Sequence, residues 1–191
     1  MDFPFYSLRL QRRSLVMIRH DRWEECACEL EEYFEERLPT IQKDLTTRFP
    51  QRKAILEEAF QHHCEGKYFG AILLFLSQSE GIGKDIFGAS PISREPKNLQ
   101  TLKDWVDQRV DRTDLFDEFW QSILRVLPMT ENTKRLGAYK DPLNRHLVLH
   151  GDDLTYGTKR NSLKAIAWIQ YVASFAMLDD ENGPSESAIS L

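Results

Sequence analysis

The chain has 191 residues, 41% of them hydrophobic and 29% charged, with a formal charge of −5. Nine Gly and eight Pro exclude a collagen-like or broadly disordered chain, and a mean hydropathy of −0.48 without any apolar run of about 18 residues excludes a membrane-spanning helix. Three cysteines (Cys26, Cys28, Cys64) make no even disulfide framework, and Met1-Asp2-Phe3-Pro4-Phe5 lacks the basic start and apolar stretch of a secretory signal, so a cytoplasmic protein with no membrane partner is expected.

Periodicity is helical almost throughout. Trp23, Ala27, Leu30, Phe34 and Leu38 recur at helical spacing, and Pro39 is expected to end that helix. Residues 21–37 carry seven Glu and one Asp against two Arg, which reads as a solvated acidic face. Pro50 suits a helix start, followed by the stripe Ile55, Leu56, Ala59, Phe60 and His63. Tyr68, Ala71, Ile72, Leu74, Phe75 and Leu76 form the most hydrophobic segment, expected as the central helix of the core. Gly81 to Asn98 reads as a loop. Leu102, Trp105, Val106 and Val110 predict a fourth helix, and Leu115, Phe116, Phe119, Trp120, Ile123 and Leu127 a fifth, closed by Pro128. Leu163, Ile166, Ala167, Ile169, Gln170, Val172 and Ala173 predict the last long helix. The aromatic residues fall at core spacing, which favours packing over base stacking.

No stretch alternates long enough to make a strand, and no internal repeat is present. The fold class is therefore all-α, a helical bundle with additional N-terminal helices. Residues 1–48 read as an N-terminal extension, 49–178 as the main helical domain, and 179–191 as a flexible acidic tail.

Chemistry concentrates in Asp141-Pro142-Leu143-Asn144-Arg145-His146-Leu147-Val148-Leu149-His150-Gly151. Asp141 followed by Pro142 predicts a capped helix start, and Gly151 a left-handed close. Leu147, Val148 and Leu149 are available to hold the segment against the core. His146 and His150, four apart, share a face, whereas Arg145 and His150 are about 140° apart on an ideal helix. Residues 131–164 carry seven Lys or Arg against four acids, a basic balance suited to an anionic ligand.

Arg145 to His150 resembles the R-x(4–6)-H motif of the HEPN superfamily, with His146 in the polar position after the arginine. The string from Asn144 through Tyr156-Gly157-Thr158 to Asn161-Ser162-Leu163-Lys164-Ala165 resembles the C-terminal signature of bacterial HEPN-like proteins. Gly66-Lys67-Tyr68-Phe69-Gly70-Ala71-Ile72, continuing to Glu80-Gly81-Ile82, resembles the helix that precedes it there. The likeness spans about residues 50–178. It implies an endoribonuclease that works without metal or other cofactor, cleaving RNA by attack of its own 2′-hydroxyl. The arginine role falls on Arg145 and the histidine role on His150, with His146 as their polar partner. Asn144 and Tyr156 are candidates to orient the site. Glu80, a carboxylate at the end of the most apolar helix, either faces solvent or is buried and pairs with a cation, for which Arg145 is the candidate. RNA or a nucleotide is the implied ligand and a homodimer the implied assembly, with an antitoxin or other protein as a further partner in toxin–antitoxin or phage-defence biology. The alternative is a non-catalytic module that binds a nucleotide, RNA or protein through the same helix. Asp152 and Asp153 have to point away from any bound phosphate.

Other candidates read as structural. His63 lies on an apolar stripe and is expected to be a hydrogen-bonded core residue. His62, His63 and Cys64 are poorly placed to bind one metal with His146 and His150, because neighbours on a helix point about 100° apart. Cys26 and Cys28 likewise point apart, Cys26 into the core. Gly81-Ile82-Gly83-Lys84 lacks the spacing of a phosphate-binding loop and follows a helix.

Overall fold

The computed structural model describes Met17 and residues 20–109, 121–139 and 141–178. These contain six α-helices: α1 (Trp23–Arg48), α2 (Lys53–Cys64), α3 (Tyr68–Phe87), α4 (Pro96–Arg109), α5 (Arg145–His150) and α6 (Lys159–Ser174). Short 3-10 turns at Pro50–Arg52, Ser122–Leu124, Pro128–Thr130 and Thr133–Ala138 join them, and no strand occurs among the described residues. The fold is all-α.

The strongly apolar α3 lies at the centre against α6, with α2 beside it and α1 packed on α2 and α6. Phe60 of α2 meets Phe75 of α3 edge-on at 4.9 Å, and Phe87, Trp105 and Phe175 form a second aromatic group. Ile72, Leu76, Ile82, Ile166 and Ile169 are fully buried between α3 and α6. Each such side chain contributes about 2 kcal/mol of hydrophobic stabilisation relative to exposure. Phe34, Ile41 and Leu45 of α1 belong to the same hydrophobic cluster. Where the central helices cross, the Trp168 indole donates to Ser79 Oγ at 3.1 Å.

Several expected boundaries move. Pro39 lies inside α1 and is exposed, so the carbonyl of Glu35 that loses its intrahelical donor can be hydrated. The segment from Gly81 to Phe87 is helical, not loop, because its glycines accommodate neighbours. A Cβ at Gly81 would collide with the Arg52 guanidinium, which bonds Gln78 at 2.9 Å and Asp85 at 2.7 Å, and one at Gly83 would strike the Pro91 ring. The helix expected to run to Leu127 stops earlier. Ser122–Leu124 is a 3-10 turn, and Leu127 is extended (φ −104°, ψ 160°), as a residue preceding proline tends to be. Leu115, Phe116, Phe119 and Trp120, Val110, residues 1–16 and the tail 179–191 lie outside the described residues.

The acidic run does more than face solvent. Arg160 of α6 bonds Glu31 and Glu24, and Lys159 pairs with Glu35 at 3.0 Å, so three acids of α1 hold the start of α6. No described helix is long and apolar enough to cross a membrane.

Candidate active site

Helix α5 is short, and its ends are fastened by side chains and turns. The N-cap is Asn144, not Asp141 as the Asp-Pro pair predicts. Asn144 Oδ1 accepts from the Leu147 N–H at 3.2 Å, while Nδ2 donates to the carbonyls of Pro128 and Glu131, both at 3.0 Å. Asp141 instead adopts a positive φ of 45° and binds Lys164 of α6 at 2.8 Å. At the far end Gly151 takes the left-handed conformation (φ 77°), which lets the Asp152 N–H reach the Leu147 carbonyl at 2.9 Å. Val148 and Leu143 anchor the segment in the core; Leu149, expected to help, is 42% exposed and faces away from it.

Arg145 is half-buried and reaches α3. Its Nη2 donates to Glu80 Oε2 at 2.6 Å, and the other Glu80 oxygen takes Lys84 at 3.1 Å. The pairing of Glu80 with Arg145 is therefore present, with Glu80 itself half-buried. Among the described residues Glu80 is the one hydrogen-bond partner of this guanidinium, and Arg145 Nε is buried without one. His146 and His150 are exposed, with ring centroids 4.2 Å apart, so the four-residue spacing does put them on one face. His146 lies between the Arg145 end of the helix and His150.

Beside Arg145 and His146 opens a cleft of about 420 Å³, whose other polar walls come from Ser93, Arg94, Thr130, Glu131, Asn132 and Thr133. His150 does not line it. Asn144 acts on the helix from within, since it is only 1% exposed. Tyr156 lies elsewhere: its ring packs on Phe69 at 4.9 Å, in the first turn of α3, about 16 Å along that helix from Glu80. Burial pushes its phenol pKa up, with Asp153 adding to the shift. Asp153 accepts from the Thr155 N–H and hydroxyl at 2.8 and 2.9 Å, and neither it nor Asp152 lines the cleft.

Arg94 is the cleft residue that the sequence does not disclose. Its Nη1 and Nη2 donate to the Ile123 carbonyl and Thr130 Oγ1, both at 3.2 Å, partners 29 and 36 residues further along the chain. No periodic or motif signal marks contacts of that range.

A second grouping has the order of a serine–histidine–acid relay and a different meaning. His63 Nδ1 lies 2.8 Å from Ser162 Oγ, and Nε2 lies 3.4 Å from Glu35. The carboxylate can only accept, so Nε2 carries the proton and Ser162 donates to Nδ1. Ser162 is fully buried, so its hydroxyl cannot meet a substrate, and His63 is the hydrogen-bonded core residue that its stripe predicts. Among the described residues no three His, Cys, Asp or Glu side chains gather as metal ligands do.

Compared with family models, curated proteins and solved structures, the chain matches none.

Proposed function

We propose that the chain is a metal-independent endoribonuclease of HEPN type, using Arg145 and His150 on RNA. One observation carries this reading. Helix α5 is locked at both ends and presents two exposed imidazoles, in contact and tilted by 51°, next to an arginine whose direction is fixed by Glu80. Imidazole is the side chain whose ordinary titration range suits proton transfer near neutral pH. A guanidinium offers a planar fork of donors to phosphate oxygens as charge builds on them.

In the reaction the ribose 2′-oxygen attacks the adjacent phosphorus and loses its proton to a base. The bond from phosphorus to the 5′-oxygen breaks, and that oxygen receives a proton. The products are a 2′,3′-cyclic phosphate and a 5′-hydroxyl, with no net change in protons. His150 supplies the proton transfer, Arg145 the charge stabilisation, and His146 positions the neighbouring ring. A homodimer that brings two such helices together fits the resemblance and supplies a second imidazole. A role in bacterial defence or toxin–antitoxin pairing rests on that resemblance alone.

The non-catalytic reading keeps one point in its favour: Arg145 is already engaged by a carboxylate, as a structural arginine would be. Incubating the purified protein with mixed RNAs in chelator separates the two. Cleavage that falls at least a hundredfold in both His150→Ala and Arg145→Lys, with unchanged helical content, supports the enzyme. Intact cleavage in either variant, or none in the wild type, leaves only the binding module.

A further inference from the structure

Arg94 gives the cleft a positive charge that nothing described in the fold neutralises. The side chain is half-buried, and both of its bonded acceptors, the Ile123 carbonyl and the Thr130 hydroxyl, are neutral. Its Nε is buried without a partner, and no carboxylate of the described residues forms an ion pair with it. Burial pulls its guanidinium pKa down, the direction expected of a cation stripped of water without a counter-charge. Such a group is costly to hold until an anion joins it.

Arg145 stands on the same cleft with only Glu80 for a partner, and His146 adds donor capacity at the mouth. The one carboxylate lining the cleft, Glu131, already accepts the Asn132 N–H at 2.8 Å and the Tyr139 hydroxyl at 3.2 Å. Thr133 supplies a hydroxyl at the exposed rim, while the Thr130 hydroxyl is taken up by Leu127 and Arg94. A volume of about 420 Å³ lies within the range that admits a small ligand, so a phosphate can enter with its nucleoside attached.

We infer that the cleft is a phosphate-binding subsite in which Arg94 and Arg145 hold one phosphate group, from an RNA backbone or from a free mononucleotide. Only the RNA source rests on the ribonuclease reading. Arg94 is then a binding residue outside the Arg–His motif, and in the RNA case it seats a phosphate of the strand that α5 acts upon.

The test uses the full chain carrying His150→Ala, with a labelled single-stranded RNA oligonucleotide and adenosine 5′-monophosphate as separate probes. Arg94→Gln removes the charge. Thr133→Glu places a carboxylate at an exposed rim position and leaves the Arg94 bonds intact, so it reports even where Arg94→Gln fails to fold. Each substitution is expected to weaken binding about tenfold or more, and Arg94→Gln to lower the salt slope for RNA by about one. Binding of RNA alone assigns the subsite to the polymer; binding of both assigns it to any phosphate of suitable access. Failure of the parent to bind either probe, or affinities within about twofold in the substituted chains, overturns the subsite. The two readings fail separately. With His150 intact, cleavage that survives Arg94→Gln unchanged removes the RNA source and keeps the nuclease, while Arg94-dependent binding without cleavage keeps the subsite and removes the nuclease.

Discussion

Glu80 bridges Arg145 and Lys84, so one carboxylate decides where the arginine fork points. Glu80→Gln keeps the shape and loses the charge. We expect kcat on RNA to fall about tenfold with KM little changed, because a misaimed donor loses contact chiefly in the transition state. A melting point lowered with kcat intact would make Glu80 merely structural. His63 makes a prediction of the opposite kind, in stability and not in rate. Burial holds its imidazole below the ordinary value of 6.5, against the opposing pull of Glu35 and with Lys159 nearby. The unfolded chain therefore takes up a proton near pH 6.5 that the native chain refuses until lower pH. The stabilisation is fully present above that point and is lost as pH falls through the depressed native value. Urea melts from pH 7.5 to 5 should show wild-type stability falling more steeply than that of His63→Gln; equal slopes would contradict the assignment. Both side chains were legible in the sequence, His63 from its place on an apolar stripe and Glu80 from a carboxylate ending the most apolar helix. Arg94 was not, because its partners arrive from distant turns that no local pattern announces.

At the scale of elements, α5 has six residues and cannot be stable alone. It is held by Asn144, whose side chain satisfies one N–H at the start of the helix and fastens it to two carbonyls of the preceding segment. Asn144→Ala removes a cap and takes the amide donor from two part-buried carbonyls, for an expected loss of about 2 kcal/mol by chemical denaturation. Activity and RNA affinity should fall together, since Arg145 stands on α5 and the same amide fastens the segment whose Thr130 bonds Arg94. A loss below about 0.5 kcal/mol would mean that the helix is held by its apolar contacts instead. The sequence located this helix and its Gly151 close, yet chose the wrong cap. Asp141 and Asn144 are both good capping types three residues apart, and Lys164, 23 residues later, decides the matter by taking Asp141. Gly81 and Gly83 misled in a similar way. Glycine read locally signals a break, whereas here it clears space for Arg52 and Pro91, whose approach depends on tertiary packing.

Across the molecule, helical periodicity was enough to establish an all-α chain built around the Tyr68–Phe87 helix, because burial of one stripe per helix is written directly in residue spacing. The charge distribution needed the third dimension. Glu24, Glu31 and Glu35 of α1 are engaged by Arg160, Lys159 and His63, and no α1 residue lines the cleft, so a net-acidic chain still offers two guanidiniums to an anion. The central claim is that α5 directs a ribose hydroxyl onto its own phosphate. A defined RNA oligonucleotide cleaved at one mapped position, compared with the same strand carrying a single 2′-deoxyribose there, tests this most directly. The account predicts a 2′,3′-cyclic phosphate and a 5′-hydroxyl from the ribose strand in chelator, and no cut at the deoxyribose. Cleavage at the deoxyribose position, or a 5′-phosphate on the product, would contradict it.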